Sequence, residues 1–238
     1  MRTQVTFDDL FQVQERYVRR ITYEETKPFL LAIHYARRMP CITDAFGLFV
    51  RGGLVGVITY GIPASYHLCI GIAGKENKDR VKELNRLCLL PEYNGNNNAS
   101  YLVSHSLKML DNGTFVVSYA DTAWGHQGYI YQATNFLYTG LSAKRNDTYQ
   151  PNGLHPRAYD KNNHSDLKQT RSQKHRYIYL VGDKRTKKVM LSQLKYKLQP
   201  YPKGNDTRYD INNPKPVIKT EIIKSERKEM NEGQIMPS

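Results

Sequence analysis

The sequence predicts an α/β sandwich: a mixed, partly parallel sheet flanked by helices, then a basic C-terminal extension and a disordered tail. Three observations carry this. Runs of β-branched and aromatic residues alternate with amphipathic runs over the first 140 residues, the pattern of strands interleaved with helices. The stretch 82–120 reads as strand, polar loop, helix and strand, a βαβ unit with a parallel pair. The charge is partitioned: 14 Lys and Arg stand against 12 Asp and Glu in residues 1–140, 14 against 4 in 141–198, and 7 against 6 beyond. Residues 1–140 are therefore the expected near-neutral core. Residues 141–200 are a basic extension that completes the sheet and meets a polyanion. Residues 201–238, with four prolines and few large apolar side chains, are the expected disordered tail.

Each element has its own signal. Asp8 to Arg20 reads as an amphipathic helix with Leu10, Val13 and Tyr17 at helical spacing. Pro28 to Arg38 reads as a second helix with Pro28 in its first turn. Ala45–Val50 and Leu54–Tyr60 flank Arg51-Gly52-Gly53 as a hairpin. Lys82–Leu90 is a strand, Asn94–Asn98 a polar loop, and Ala99–Leu110 a helix with Leu102, Val103, Leu107 and Leu110 on one face, stopped by Asp111-Asn112-Gly113. Phe115–Ala120 is a buried strand, Gln127–Tyr138 a helix closed by Gly140, Tyr177–Val181 a strand, and Lys188–Leu194 one more. The loop before helix 99–110 lies at the carboxyl end of a strand and at a helix N-terminus. Open α/β sheets place ligands there, and the backbone N–H groups of Asn98, Ala99 and Ser100 can hold an anion.

Composition narrows the function. The chain has 238 residues, a net charge of +13 and a pI near 9.5, which points to a polyanionic partner. Mean hydropathy is −0.64 and no apolar run has membrane-spanning length. The opening residues carry no signal-peptide core, and Cys41, Cys69 and Cys88 are too scattered for a disulfide framework or a zinc knuckle, so a reducing cytoplasm is expected. The 18 tyrosines offer stacking surfaces as well as core.

Several runs occur together in order: His34-Tyr35, Tyr60-Gly61-Ile62-Pro63-Ala64-Ser65, Glu83-Leu84-Asn85-Arg86-Leu87, Ser118-Tyr119-Ala120-Asp121, Gly125-His126 and Tyr131-Gln132-Ala133-Thr134-Asn135-Phe136. They resemble the Mom family of bacteriophage DNA-modification proteins over about residues 28–140. The resemblance implies a fold similar to GNAT acyltransferases and the addition of a carbamoylmethyl (acetamido) group to N6 of adenine in DNA. It also implies protection of phage DNA from host restriction, hence the cytoplasm of the bacterial host. An iron site is implied too, with no ligands assigned, and a dimer is compatible with it. The chain departs from GNAT enzymes in one place. Their Arg/Gln-x-x-Gly-x-Gly/Ala phosphate loop is replaced by 90–99, LPEYNGNNNA, with one glycine, so a coenzyme A thioester is not specified and the donor stays open.

The candidate residues each carry two readings. Arg86, inside an apolar strand, holds a phosphate or the donor carbonyl, or else forms a structural ion pair with Glu83 or Asp44. Asp121, at a strand end, accepts the proton that adenine N6 loses, or else caps the following turn. Ser118, His126 and Asp121 lack a nucleophile elbow and are not read as a triad. His34 and Tyr35 are a packed aromatic pair by themselves and site residues by the resemblance. His34, His126, Asp121 and Glu83 have no metal-ligand spacing. Tyr131, sharing a helix face with Tyr138 while Tyr129 points elsewhere, either fills the core or touches the donor or adenine. Trp124, the single tryptophan, is placed in a loop where it can wedge against a base. Lys184, Arg185, Lys187 and Lys188 either bind DNA phosphates or form a solvated turn after Gly182-Asp183.

The expected mechanism follows. The basic arm binds double-stranded DNA, the target adenine is flipped out, Asp121 takes the N6 proton, Arg86 and the helix N-terminus hold the donor, and Ser118 and Tyr131 orient it. Two other classes remain: a GNAT-type N-acetyltransferase acting on a protein or small amine, and a non-catalytic DNA-binding anti-restriction protein.

Overall fold

In the computed structural model, residues 16–149, 167–204 and 222–224 are described. Strand β1 (Arg16–Arg20) is an edge strand, antiparallel to β2 (Asp44–Val50). Residues 16–20 are thus not helical as the spacing predicted, and the rest of that expected helix lies outside the described residues. Cross-strand pairing outweighs the helical period here: Tyr17 sits opposite Phe49 and stacks on it at 5.2 Å, and Arg19 covers the same ring at 4.2 Å.

Helix α1 (Tyr23–Pro28) begins earlier than expected, because Thr22 and Glu25 form a capping box. Pro28 ends α1 instead of opening a helix. It has no N–H to give to Glu24, and the chain widens into a π-helical turn over Phe29–Ile33, closed by the His34 N–H on the Phe29 carbonyl. His34 itself is extended, so no helix runs on to Arg38.

The hairpin of β2 and β3 (Gly53–Gly61) is as expected. Val50 pairs with Gly53 across Arg51 and Gly52, both at positive φ, the signature of a two-residue type I′ turn. Helix α2 (Tyr66–Ala73), which the sequence reading missed, is capped by Ser65 and stopped by Gly74 at φ 82°. Its short, evenly apolar run has no amphipathic contrast to reveal it. Strand β4 (Val81–Leu89), helix α3 (Asn98–Lys108) and strand β5 (Phe115–Asp121) form the expected parallel βαβ unit.

Beyond β5 the reading needs three corrections. Helix α4 spans only Tyr129–Ala133, because Asn135 adopts a left-handed φ of 61° and stops it. Tyr138 then lies on strand β6 (Leu137–Leu141), so it shares no helix face with Tyr131. After β6 the chain makes an excursion, β7 (Arg145–Thr148) and β8 (Leu167–Arg171), and returns as β9 (Lys174–Leu180). Residues 184–193 are helix α5 (Lys184–Gln193), not a strand from Lys188. Asp183 is its N-cap, accepting from the Thr186 N–H at 2.7 Å, so Gly182-Asp183 is a helix start and not a hairpin turn. Strand β10 (Ile222–Lys224) adds to β8. The rest of the expected disordered tail beyond Gly204 lies outside the described residues.

The main sheet has the order β1-β2-β3-β4-β5-β9-β6, and a small sheet has the order β10-β8-β7. Helices flank the main sheet on both faces. Phe46, Leu48, Ile58, Tyr60, Leu84 and Val116 pack against α3, while Phe115, Val117, Ile178 and Leu180 face α2 and Met190 of α5. Phe29 and Leu30 fill the second face beside Val57 and Cys88. The mixed α/β class with a helix-flanked sheet therefore holds. Among the described residues, no helix is long and apolar enough to cross a membrane.

Candidate active site

A split in the sheet positions the site. Strands β4 and β5 pair only from Val81↔Phe115 to Glu83↔Val117, yet they run on to Leu89 and Asp121. Past Glu83, β4 pairs with β3 alone and β5 with β9 alone. Two parallel strands that part at their carboxyl ends open a wedge at the usual ligand edge of an α/β sheet. Ser118 stands at its apex. It is 1 % exposed and its hydroxyl donates to the Leu84 carbonyl at 3.1 Å, a carbonyl that β5 no longer pairs. Ser118 thus braces the split.

A bulge aims Arg86. The register steps from Thr59↔Arg86 to Tyr60↔Leu84, leaving Asn85 over. Leu84 and Leu87 then both face the α3 core, and Arg86 faces the other side with Cys88. Asn85 locks the bulge: it accepts from Thr59 Oγ1 at 2.6 Å and donates to the Cys41 carbonyl at 2.8 Å. Neither structural ion pair for Arg86 is formed. Asp44 is held by Arg20 at 2.7 Å and Lys82 at 2.5 Å, and among the described residues no carboxylate bridges Arg86. Its Nη1 donates to the Asn85 carbonyl at 2.6 Å, while its Nε is buried without a partner. Burial lowers its pKa, the Tyr35 phenol raises it, Arg38 lowers it and the Glu83 carboxylate raises it.

His34, Tyr35 and Trp124 line up beside Arg86. His34 stacks on Tyr35 at 4.4 Å, and the Tyr35 ring meets Trp124 at 5.1 Å. Burial pushes the Tyr35 pKa up, Arg86 draws it down and Asp121 pushes it up again, so its phenol feels both charges. Trp124 lies in the 3₁₀ turn Thr122–Trp124, ended by Gly125 at φ 66°. Gly125-His126 precedes α4 without opening it.

Asp121 is an ionised carboxylate, firmly held. Burial raises its pKa, but a 2.6 Å bond from Ser172, the Lys174 ammonium at 3.0 Å and the Ala123 N–H at 3.0 Å overcome this and hold it below the ordinary value. The turn-capping role is therefore real, and it leaves the group charged. Ser172 and Lys174 were not anticipated, since nothing in the sequence signals that the β8–β9 junction reaches Asp121.

The other candidates make contacts of their own. Tyr131 packs on Phe136 and Tyr177, both at 5.3 Å, against the α3-side core. Asn98 is buried, accepts from Arg16 at 3.0 Å and donates to the Tyr93 carbonyl at 3.1 Å. The α3 N-terminus carrying Ala99 and Ser100 has no side-chain cap, and Arg16 stands beside it on the Asn96 carbonyl. Lys184, Arg185, Lys187 and Lys188 are at the opposite end of the sheet. β5 and β9 pair Asp121 with Lys174 at one end and Phe115 with Leu180 at the other, and α5 starts past Leu180. At about 3.4 Å per residue that separation is about 20 Å. Lys187 lies over the Tyr179 ring and donates to its hydroxyl, and the other three are a solvated helix face.

The described residues do not fit an iron. No three His, Cys, Asp or Glu side chains among them come together. Both Asp121 oxygens carry other partners, and His34 Nδ1 accepts the Ala36 N–H at 3.1 Å.

That last bond places the His34 proton on Nε2 by hydrogen-bond assignment. Burial, then the nearby Arg86 charge, lowers its pKa to about 4. The unfolded chain takes this proton near 6.5 and the folded chain only near 4. Stability is thus full above pH 6.5 and is lost as pH falls towards 4, by about 3 kcal/mol from this group. Urea unfolding of the wild type and His34→Asn at pH 7 and pH 4 checks this. The variant keeps an acceptor for Ala36 and is expected to lose less stability by that amount; equal losses would contradict it.

No curated protein matches the chain. Among solved structures, it resembles the ribosomal-protein-S18-alanine N-acetyltransferase from Escherichia coli, at 9% identity, covering 71% of this chain and 95% of that one with a TM-score of 0.43. It also resembles an N-acetyltransferase from Staphylococcus aureus Mu50, at 13% identity, 70% and 99% coverage and a TM-score of 0.43. A third is a GNAT family acetyltransferase from Elizabethkingia anophelis with acetyl-CoA bound, at 9% identity, 69% and 97% coverage and a TM-score of 0.42. In sequence, residues 15–203 match the Mom protein family, and this chain belongs to it.

Proposed function

We propose that this protein transfers a carbamoylmethyl group to N6 of adenine in double-stranded DNA and so shields that DNA from restriction. The observation that carries the reading is a pair of opposite charges bracketing an aromatic row: Arg86, its Nε buried without a partner, and ionised Asp121, with Tyr35 feeling both. Adenine N6 is a weak nucleophile, because its lone pair is delocalised into the ring. As N6 bonds to the carbamoylmethyl carbon, the bond from that carbon to the donor's leaving group breaks and the leaving group takes the electron pair. The N6 proton turns acidic at that moment, so a carboxylate of low pKa suffices to accept it if it is charged and positioned. Arg86, with the His34 Nε2–H, holds the carbonyl oxygen of the incoming group. Tyr35 and Trp124 offer stacking faces for a flipped base. The α3 N-terminus beside Arg16 suits an anionic part of the donor.

Plasmid from cells making the protein tests this. Deproteinised plasmid is expected to resist restriction enzymes whose sites contain adenine, and plasmid from Asp121→Asn cells to be cut. Complete cutting of wild-type plasmid would overturn the reading. Protection that disappears once protein is stripped would point to a bound shield without catalysis.

A further inference from the structure

We propose that the β7–β8 ribbon, not the basic helix α5, grips the DNA duplex and delivers it to Asp121; this rests on the reading of the site as a DNA-adenine transferase. The ribbon is rooted on the site. At its base the Ser142 N–H donates to the Lys174 carbonyl at 2.8 Å, and Gln173 Nε2 donates to the Ser142 carbonyl at 2.7 Å. On the other side, Thr122 gives both its N–H and its hydroxyl to the Gln173 carbonyl, while Ser172 and Lys174 reach Asp121. A body seated on this ribbon lies next to the proton acceptor.

Among the described residues, the ribbon stands outside the apolar core. Strands RNDT and LKQTR contribute no residue to the hydrophobic clusters of the described core. The ribbon's charge is also one-sided. Over 142–149 and 167–174, Lys144, Arg145, Lys168, Arg171 and Lys174 stand against Asp147, which is tied to Arg171 at 2.5 Å. The register sets Arg145 directly opposite Arg171, and like charges in that position oppose pairing. Lys144, Arg145 and Lys168 are exposed, so their charges are free to meet backbone phosphates. The run on α5 carries similar charge about 20 Å away, at the far end of the sheet from Asp121.

Duplex binding across a salt series tests the proposal, using the full chain with Lys144, Arg145 and Lys168 changed to Ala. Three lost phosphate contacts flatten the log–log salt slope by roughly 3 units. Between 50 and 200 mM salt the variant is then expected to lose about 40-fold less affinity than the wild type. Lys144→Arg with Lys168→Arg, which keeps both charges, is expected to bind as the wild type does and guards against a folding artefact. The same slope in the triple variant and the wild type would overturn the proposal, as would a flattened slope in the α5 triple Lys184→Ala, Arg185→Ala, Lys188→Ala in place of the ribbon's. So would a wild type with no salt-dependent duplex binding. The two readings fail separately. Ribbon-dependent binding with unmodified nucleosides removes the enzyme and keeps the ribbon. Modified adenine with an unaffected ribbon variant does the reverse.

Discussion

Arg86→Met is expected to reduce DNA modification at least about 100-fold, while the protein stays as stable as the wild type or becomes more so. The two halves follow from one observation. A buried guanidinium nitrogen with no hydrogen-bond partner among the described residues costs folding free energy, which the nearby Glu83 charge offsets only in part. Methionine fills similar volume without that cost. Arg86 holds the carbonyl of the transferring group and so aligns its carbon with N6, and a misplacement of about 1 Å at such a centre costs about 100-fold. Arg86→Lys is not expected to rescue, because an ammonium lacks the planar fork. A third readout separates this from a local collapse: the Arg86 charge helps lower the His34 pKa, so His34 is expected to titrate higher in the variant. A purely structural Arg86 predicts the opposite pattern, with stability lost first and activity following it.

Gly61→Ala is expected to destabilise the fold by about 3 kcal/mol or more, in the range of severe overpacking. A β-carbon on Gly61 would stand 2.0 Å from the Cys41 carbonyl oxygen and 2.8 Å from Asn85 Nδ2. The first is backbone and cannot swing away. The second is the side chain that locks the β4 bulge, so the displacement also reaches the aim of Arg86. Gly95→Ala is the control: nothing lies within 4 Å of its β-carbon, and its stability is expected to stay within about 0.5 kcal/mol of wild type. Urea midpoints of the two variants check this, and a mild Gly61→Ala would mean that the Cys41 segment yields easily.

The parts of the fold legible in the sequence were those whose signal is local. The Arg51-Gly52 turn, the Leu102-Val103-Leu107 face of α3 and the apolar run of β5 each state their structure within a few residues. The misreadings arose where distant pairing decided the outcome. Tyr17 has helical neighbours in sequence but a stacking partner, Phe49, across a sheet edge. Lys188–Leu194 can pass for a strand until the Asp183 cap starts a helix ahead of it. At the site, Arg86 and Asp121 were visible as polar residues in apolar strands. The Asn85 bulge that aims one and the Ser172–Lys174 brace that holds the other were not, since each depends on a register or a junction formed only in the fold. The place of the α5 charge run was hidden for the same reason: sequence records how much charge a segment has, and topology decides which end of the sheet it occupies.

Mass spectrometry of nucleosides, from the DNA of cells making the wild type, Asp121→Asn or Arg86→Met, tests the central claim most directly. Asn at 121 keeps an acceptor for Ser172 and the Ala123 N–H, so the turn survives while the proton acceptor is lost. Deoxyadenosine with an acetamido-sized addition is expected in the wild-type sample and none in either folded variant. Unmodified adenine in the wild-type sample, or full modification by both variants, would contradict it.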